Sequence, residues 1–474
     1  MPTIPRVVVS GLRGGSGKTT LSIGLAAAFA RRGLVVAPFK KGPDYIDAGW
    51  LAAATGRPCY NLDPYLIGDE WVLPSFLLRC QGADIALMEG NRGLFDGMDA
   101  EGTLSTARVA RTIKSPVILI VDCTKATRTI AALVQGAKRF ERGVYLAGVV
   151  LNMIGSKRQE NVIRDAVQGQ AGVPVLGAIP RLNSANMPER HMGLTPWQEH
   201  PEVSRAVKDA EELVERYVNV TAVLGVARSA PMLSMPRKAV RAIRSVTRVA
   251  GARPVIGVIK DSAFQFYYPE NIEELKKRGA QIVEFSALKE KEIPELDALY
   301  IGGGFPETHA MALADNSVFR DSLKKAVEEG LPVYAECGGL MFLGKEIQMD
   351  GKTYPMAGVY PLSFTLETKP CAHGYTEIKV VKKNPFMKHG TVLKGHEFHY
   401  SEPIGGEVLL ESAVKEFAFA FEMMRGRGIA GGRDGILYKN TIATYTHIHA
   451  VGSQAWVDGM LRAASVHAEA RLKA

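Results

Sequence analysis

No run of about 18 or more uncharged apolar residues occurs anywhere in the chain, which excludes a membrane-spanning helix. The opening residues, MPTIPRVVVSGLRGG, lack the basic segment, apolar stretch and small-residue cleavage site of a secretory leader. A cytoplasmic protein with no membrane partner is expected. Cysteine is scarce: Cys59, Cys80, Cys123, Cys337 and Cys371 are scattered, odd in number and never paired as CxxC. That excludes a disulfide framework and gives no zinc site. A cysteine without further context is a small buried hydrophobe, and only Cys337 has such context. Internal repeats and low-complexity tracts are also missing.

What is present is a globular composition, 46% hydrophobic and 23% charged, in 474 residues. That length exceeds one ordinary core, so two domains of roughly 200 residues are expected. The net charge of +9 could serve a nucleic acid, but the basic residues are not interleaved with aromatics on one face. A small polyanionic substrate held together with ATP would profit from the same field. No nucleic acid partner is expected.

The first half alternates short apolar runs with helical patterns. Val7–Val9, Leu34–Pro38, Ala83–Gly90, Ser115–Cys123, Val144–Asn152 and Val173–Pro180 are apolar without strict alternation, as strands buried on both faces of a parallel sheet are. Around 183–194 the pattern becomes irregular, and a charged helix follows near Pro201–Tyr217. The stretch 226–252, which carries Arg237, Lys238, Arg241, Arg244 and Arg248, is expected to be a partly helical basic linker between domains 1–225 and 253–474. A second α/β pattern opens at Val255–Ile259. It becomes richer in strand beyond Tyr354 and closes with a helix near Ala455–Ala474.

Two motifs carry chemistry. Arg13-Gly14-Gly15-Ser16-Gly17-Lys18-Thr19-Thr20 lies between a strand and a helix, where a phosphate-binding loop belongs. Its glycines let backbone N–H groups turn inward, Lys18 reaches outer phosphates and Thr19 offers a hydroxyl to Mg²⁺. Leu12 stands where the strict GxxxxGKT pattern has glycine, so the loop resembles the variant of dethiobiotin synthetase and the chromosome-partitioning ATPases. Lys40, Lys41, Asp44 and Asp47 follow the second strand. Glu89 ends the third, with Asp96 beyond it, and such strand-end carboxylates can hold Mg²⁺. Asn152 ends another strand and could read an adenine edge or cap a loop.

The second motif is Tyr334-Ala335-Glu336-Cys337-Gly338-Gly339, with a strand before it and a helical pattern after it: a nucleophile elbow. A helix N-terminus there is expected to lower the cysteine pKa. Gly338 and the triglycine Gly302, Gly303 and Gly304 can offer N–H groups to an oxyanion. The base is to be sought among His396, His399, His447 and His449. The His-x-His pairs lack further ligands for a metal.

RGGSGKTT, FKKGPDYID, LMEGNRGLFDG, LAGVVLN, IPRLNSANMPERHMGL, DSAFQFYYPENIEEL, ALYIGGGFPE, YAECGGLMFLG, GHEFHYS and YTHIHA, in this order and over nearly the whole chain, resemble the cobyrinate a,c-diamide synthase family. The resemblance implies an α/β architecture: an N-terminal dethiobiotin-synthetase-like parallel-sheet domain and a C-terminal class I glutamine amidotransferase domain. It implies Cys337 as nucleophile and His447 as its base, with His449 the alternative. It also places His449 where the common class I triad has glutamate, so the third member is missing. Asp44, Tyr45, Glu89 and Asp96 match positions linked to Mg²⁺, phosphate or substrate handling. The implied cofactor is Mg²⁺, with ATP and glutamine as co-substrates and a polycarboxylate tetrapyrrole as the partner acted upon; a homodimer is the candidate assembly. The stretch GRGIAGGRDGILYKNTIATYTHIHA resembles the branch amidating sirohaem or sirohydrochlorin as much as the cobalamin branch. Phe264–Asn271 is aromatic enough either to flank a macrocycle or to pack a core. The competing reading of another class is a partitioning-type ATPase with an inactive amidotransferase module.

Overall fold

Strand β1 (Arg6–Gly11, RVVVSG) is buried at every position, the setting of a central strand covered on both faces. The computed structural model describes residues 4–182, 202–244, 253–404 and 417–472. In it β1 lies between β4 (Ile85–Gly93) and β5 (Val117–Asp122), with β2 (Val36–Lys41), β3 (Tyr60–Leu62), β6 (Leu146–Ile154) and β7 (Val175–Pro180) completing the order β3-β2-β4-β1-β5-β6-β7. Every neighbouring pair is parallel. Parallel strands need crossovers, and the helical patterns between the apolar runs supply them.

Helix α1 (Lys18–Arg31) follows β1 and is buried from Thr20 to Phe29, because the sheet lies on one side and helix Val203–Tyr217 on the other. The helices approach so closely that a Cβ at Gly24 would sit 2.3 Å from Ala210 O. Leu21, Ile23, Leu25 and Phe29 of α1 share one core with Val214 and Val223. Each such side chain, fully buried, contributes about 1.5–3 kcal/mol.

Strand β2 runs to Lys41, beyond the expected end at Pro38. Ladder pairing of Lys40 with Glu89 extends it, so both lysines belong to the strand rather than to the loop after it.

The chain divides into two compact units, Met1–Pro64 with Gly68–Arg244, and Tyr65–Ile67 with Ser245–Ala474. Of the expected linker, helix Arg237–Arg244 belongs to the first unit. Residues 245–252 lie outside the described residues, as does the irregular stretch 183–194.

In the second unit β8 (Val255–Ile259), β9 (Gln281–Phe285), β10 (Ala298–Ile301), β11 (Val333–Glu336) and β20 (Thr441–Thr444) form the parallel part of a ten-stranded sheet. Antiparallel strands β19 (Arg433–Tyr438), β18 (Ala418–Arg425), β15 (Ala372–Val380), β16 (Val392–His399) and β21 (His447–Ile448) extend it beyond β20. A smaller sheet pairs β12 (Glu346–Met349), β13 (Lys352–Pro355), β14 (Ser363–Leu366) and β17 (Ser401–Ile404). The final helix is Gln454–Arg471. Among the described residues no helix is long and apolar enough to cross a membrane.

Candidate active sites

The carboxyl ends of β1, β2, β4, β5 and β6 converge, as ligand sites of open parallel sheets do. The loop after β1 turns back through Gly15 (φ 68°) and Gly17 (φ 94°), backbone conformations that side chains rarely adopt. Ser16 Oγ donates to Arg13 O at 2.7 Å and Lys18 Nζ donates to the same oxygen at 3.0 Å, so the loop is folded on itself. Arg13 is tied to Asp122 at the end of β5, 2.5 Å away. Gly14 and Gly15 are exposed, and Thr20 is buried in the first turn of α1.

Asn152 donates from Nδ2 to Ser16 O (3.0 Å) and accepts the Met153 N–H at Oδ1 (2.9 Å). Both ends of its carboxamide hold backbone, so Asn152 braces the phosphate loop.

A buried charge cluster lies beside the loop. Thr19 Oγ1 donates to Glu89 Oε1 at 2.8 Å and lies 3.5 Å from Asp47 Oδ1. Lys40 Nζ bridges Asp47 Oδ2 (2.5 Å) and Glu89 Oε1 (2.9 Å). Burial works against the Lys40 charge, yet Asp47 and Glu89 hold its pKa well above the usual lysine value. Burial pushes Glu89 up to about 7, with Lys40 opposing and Asp47 adding. Burial lowers the pKa of Lys18, with Glu89 opposing.

Asp44 Oδ1 accepts the Asp47 N–H at 2.8 Å and so caps the turn into α2 (Ile46–Thr55). Asp47, three residues on, is the carboxylate that reaches Thr19. Tyr45 begins that turn. Lys41 is buried, and burial lowers its pKa with Asp63 opposing. Asp96 is exposed, its Oδ2 accepting the Gly93 N–H at 2.8 Å.

In the second unit Cys337 stands between β11 and helix Gly338–Leu343 with φ 49° and ψ −99°. A non-glycine residue held there is strained by about 1–3 kcal/mol, which the surroundings must overcome. They do so: Cys337 N–H donates to Thr444 O at 2.7 Å, continuing the β11–β20 ladder. The same ladder leads to the candidate base, because His447 follows β20 by three residues. A Cβ at Gly303 would lie 2.4 Å from His447 Cε1, so only glycine leaves room for the imidazole. A Cβ at Gly338 would lie 3.0 Å from Gly304 N, which brings the two expected oxyanion donors side by side.

The expectation of a lowered cysteine pKa is not met. Burial pushes the Cys337 thiol up, and Glu307 adds to the shift while the Gly338 backbone opposes it. The following helix is only six residues long, too short to outweigh burial.

Phe264 and Tyr268 are fully buried, and Tyr267 receives the Gly302 N–H at 2.7 Å while donating to Ile259 O. Phe264 and Tyr268 thus pack the core and Tyr267 holds the triglycine, while Phe266 is only half-buried. Asp434, which the motifs do not single out, accepts from Thr444 Oγ1 (2.6 Å), Thr446 Oγ1 (3.0 Å) and the N–H groups of Gly435, Tyr445 and Thr446. It fixes the turn that presents His447. His449 has turned away to Glu270, 3.5 Å distant, with both groups fully buried.

Residues 7–194 match the CobQ/CobB/MinD/ParA nucleotide binding domain, and residues 255–455 match the CobB/CobQ-like glutamine amidotransferase domain. A cobyrinate a,c-diamide synthase of Magnetococcus marinus is 41% identical over 460 residues, 97% of each chain. Those of Archaeoglobus fulgidus and Methanosarcina acetivorans are 40% and 39% identical, over 94% and 98% of this chain and 94% and 96% of theirs. The chain belongs to the cobyrinate a,c-diamide synthase family. As a member of this family it is a carbon–nitrogen ligase that uses glutamine as amide donor and ATP as driving force.

Proposed function

We propose that the chain converts two peripheral carboxylates, a and c, of cobyrinate into amides. The observation that carries this reading is the end-to-end similarity to synthases named for that reaction. The first half-reaction is assigned to 1–225. Backbone N–H groups of 14–18 and the Lys18 ammonium receive the ATP phosphates. Lys40 and Lys41 offset charge as a substrate carboxylate attacks the terminal phosphorus, forming an acyl phosphate and ADP. Ammonia then attacks the acyl carbon and expels phosphate, a far better leaving group than oxide.

Thr19, Glu89 and Asp47 are hard oxygen donors, and Glu89 Oε2 is buried without a protein partner among the described residues, so the set fits Mg²⁺. Among those residues no group of three or more His, Cys, Asp or Glu is placed to hold a metal ion by itself. When bound, Mg²⁺ neutralises charge on the β- and γ-phosphates.

The ammonia source is assigned to 253–474. Cys337 attacks the glutamine carboxamide carbon while His447 takes the thiol proton and delivers it to the leaving ammonia. The N–H groups of Gly338 and of Gly303 or Gly304 receive the oxyanion, and water releases glutamate from the thioester.

The test offers cobyrinate and sirohydrochlorin side by side with ATP and glutamine and reads the products by mass spectrometry. Two amides gained on cobyrinate are expected. Two amides gained on sirohydrochlorin alone would overturn the choice of macrocycle and leave the chemistry standing.

A further inference from the structure

Among the carboxylates around Cys337, Glu336 lies closest in kind to a triad acid. Its side chain is fully buried, and Oε2 lies 3.5 Å from His447 Nδ1. Hydrogen bonds of catalytic groups are often this long before substrate binds and tighten afterwards. The carboxylate is itself held: Tyr300 OH donates to Oε2 at 2.9 Å and the Ile448 N–H donates to Oε1 at 3.2 Å. Asn271 Nδ2 in turn donates to Tyr300 OH (3.1 Å) and Ile448 O (3.0 Å), and Asn271 Oδ1 accepts the Ala450 N–H (2.7 Å).

The other acids nearby have different partners. Glu270 faces His449, and Glu397 receives the Arg427 and Gly428 N–H groups and lies 3.9 Å from His399 Nε2. Asp434 is surrounded by its five donors. The His447 ring also stacks on His396, centroids 4.9 Å apart and planes 20° from parallel, and abuts Gly303.

We propose that Glu336, the residue before the nucleophile, orients His447 and stabilises its protonated form, replacing the glutamate that His449 displaces two residues after the base. A carboxylate on Nδ1 fixes the proton there and leaves Nε2 to exchange the proton of the reaction. Placement is efficient: β11 and β20 are parallel neighbours with Glu336 opposite Thr444. Hence one strand end carries both nucleophile and acid, and the adjacent one leads to the base. Glu336 is a positioning residue, and its role rests on Cys337 and His447 being nucleophile and base.

The experiment compares Glu336→Gln, Glu336→Asp and His447→Ala in the full chain, measuring glutamine hydrolysis, ammonia-driven amidation and the melting temperature. Glutamine keeps the size and one acceptor oxygen for the Ile448 N–H, turns its NH₂ toward Tyr300 OH, and removes the charge. It should lower kcat for glutamine about 10²–10⁴-fold while KM, melting temperature and ammonia-driven amidation stay within twofold or a few degrees of wild type. Glu336→Asp should recover about tenfold over Glu336→Gln, since the charge returns at a longer reach. Wild-type hydrolysis in Glu336→Gln, or losses that track a lowered melting temperature or weakened ammonia-driven amidation, would overturn the proposal, as would an aspartate variant no better than glutamine. Active His447→Ala would instead overturn the dyad on which it rests.

Discussion

Cys337→Ala is expected to lose glutamine hydrolysis by on the order of 10⁴–10⁶-fold, the loss that follows when a nucleophile is removed from a covalent mechanism. Ammonia-driven amidation should survive in the same protein, because the phosphate loop and its charge cluster contain no part of the cysteine site. The substitution itself is mild, since alanine fills most of the volume of a buried thiol and leaves the Cys337 backbone bond to Thr444 in place. The φ of 49° remains strained for alanine. A drop in stability of about 1 kcal/mol or less is therefore expected, visible as a small shift in melting temperature. Glutamate released at the wild-type rate by Cys337→Ala would remove the nucleophile. Loss of both activities in a variant that melts normally would contradict the division of labour.

Lys18→Ala is expected to fail in the complementary way. It removes the ammonium nearest the outer phosphates, and positioned charges of this kind are worth at least about 10³-fold in rate. Amidation should be lost whether glutamine or ammonia supplies nitrogen. The fold should persist, because the hydrogen bond that Lys18 gives, to Arg13 O, is replaced in part by that of Ser16 to the same oxygen. Amidation at the normal rate in Lys18→Ala would refute the phosphate-loop assignment.

The first sheet apart from its short edge strand β3 is legible in the sequence because its strands are covered on both faces, and apolar runs of that kind have few alternative uses. The end of β2 is less so. Lys40 belongs to the strand only because Glu89 and Asp47 neutralise it in the interior, a tertiary fact. For the same reason the motif GPDYID shows two carboxylates but not which one turns inward: Asp44 caps the helix turn, and Asp47, one helical turn later, reaches Thr19. The small sheet β13-β12-β14-β17 is hidden by short strands of mixed polarity whose pairing is decided by packing.

At the second site the elbow and the glycines are readable from spacing, whereas the electrostatics are not. Burial reverses the expected direction for the Cys337 thiol. Glu336 escapes notice because adjacent residues on a strand ordinarily point to opposite faces.

The measurement that tests the central claim most directly follows oxygen and nitrogen together. Cobyrinate labelled with ¹⁸O in its a and c carboxylates is incubated with the protein, ATP and glutamine labelled with ¹⁵N in its amide. If a carboxylate is activated as an acyl phosphate at one site while Cys337 releases ammonia at the other, each amide formed carries one ¹⁵N and each delivers one ¹⁸O to inorganic phosphate. Amides formed with no ¹⁸O in phosphate, or with nitrogen that does not come from glutamine, would contradict the account.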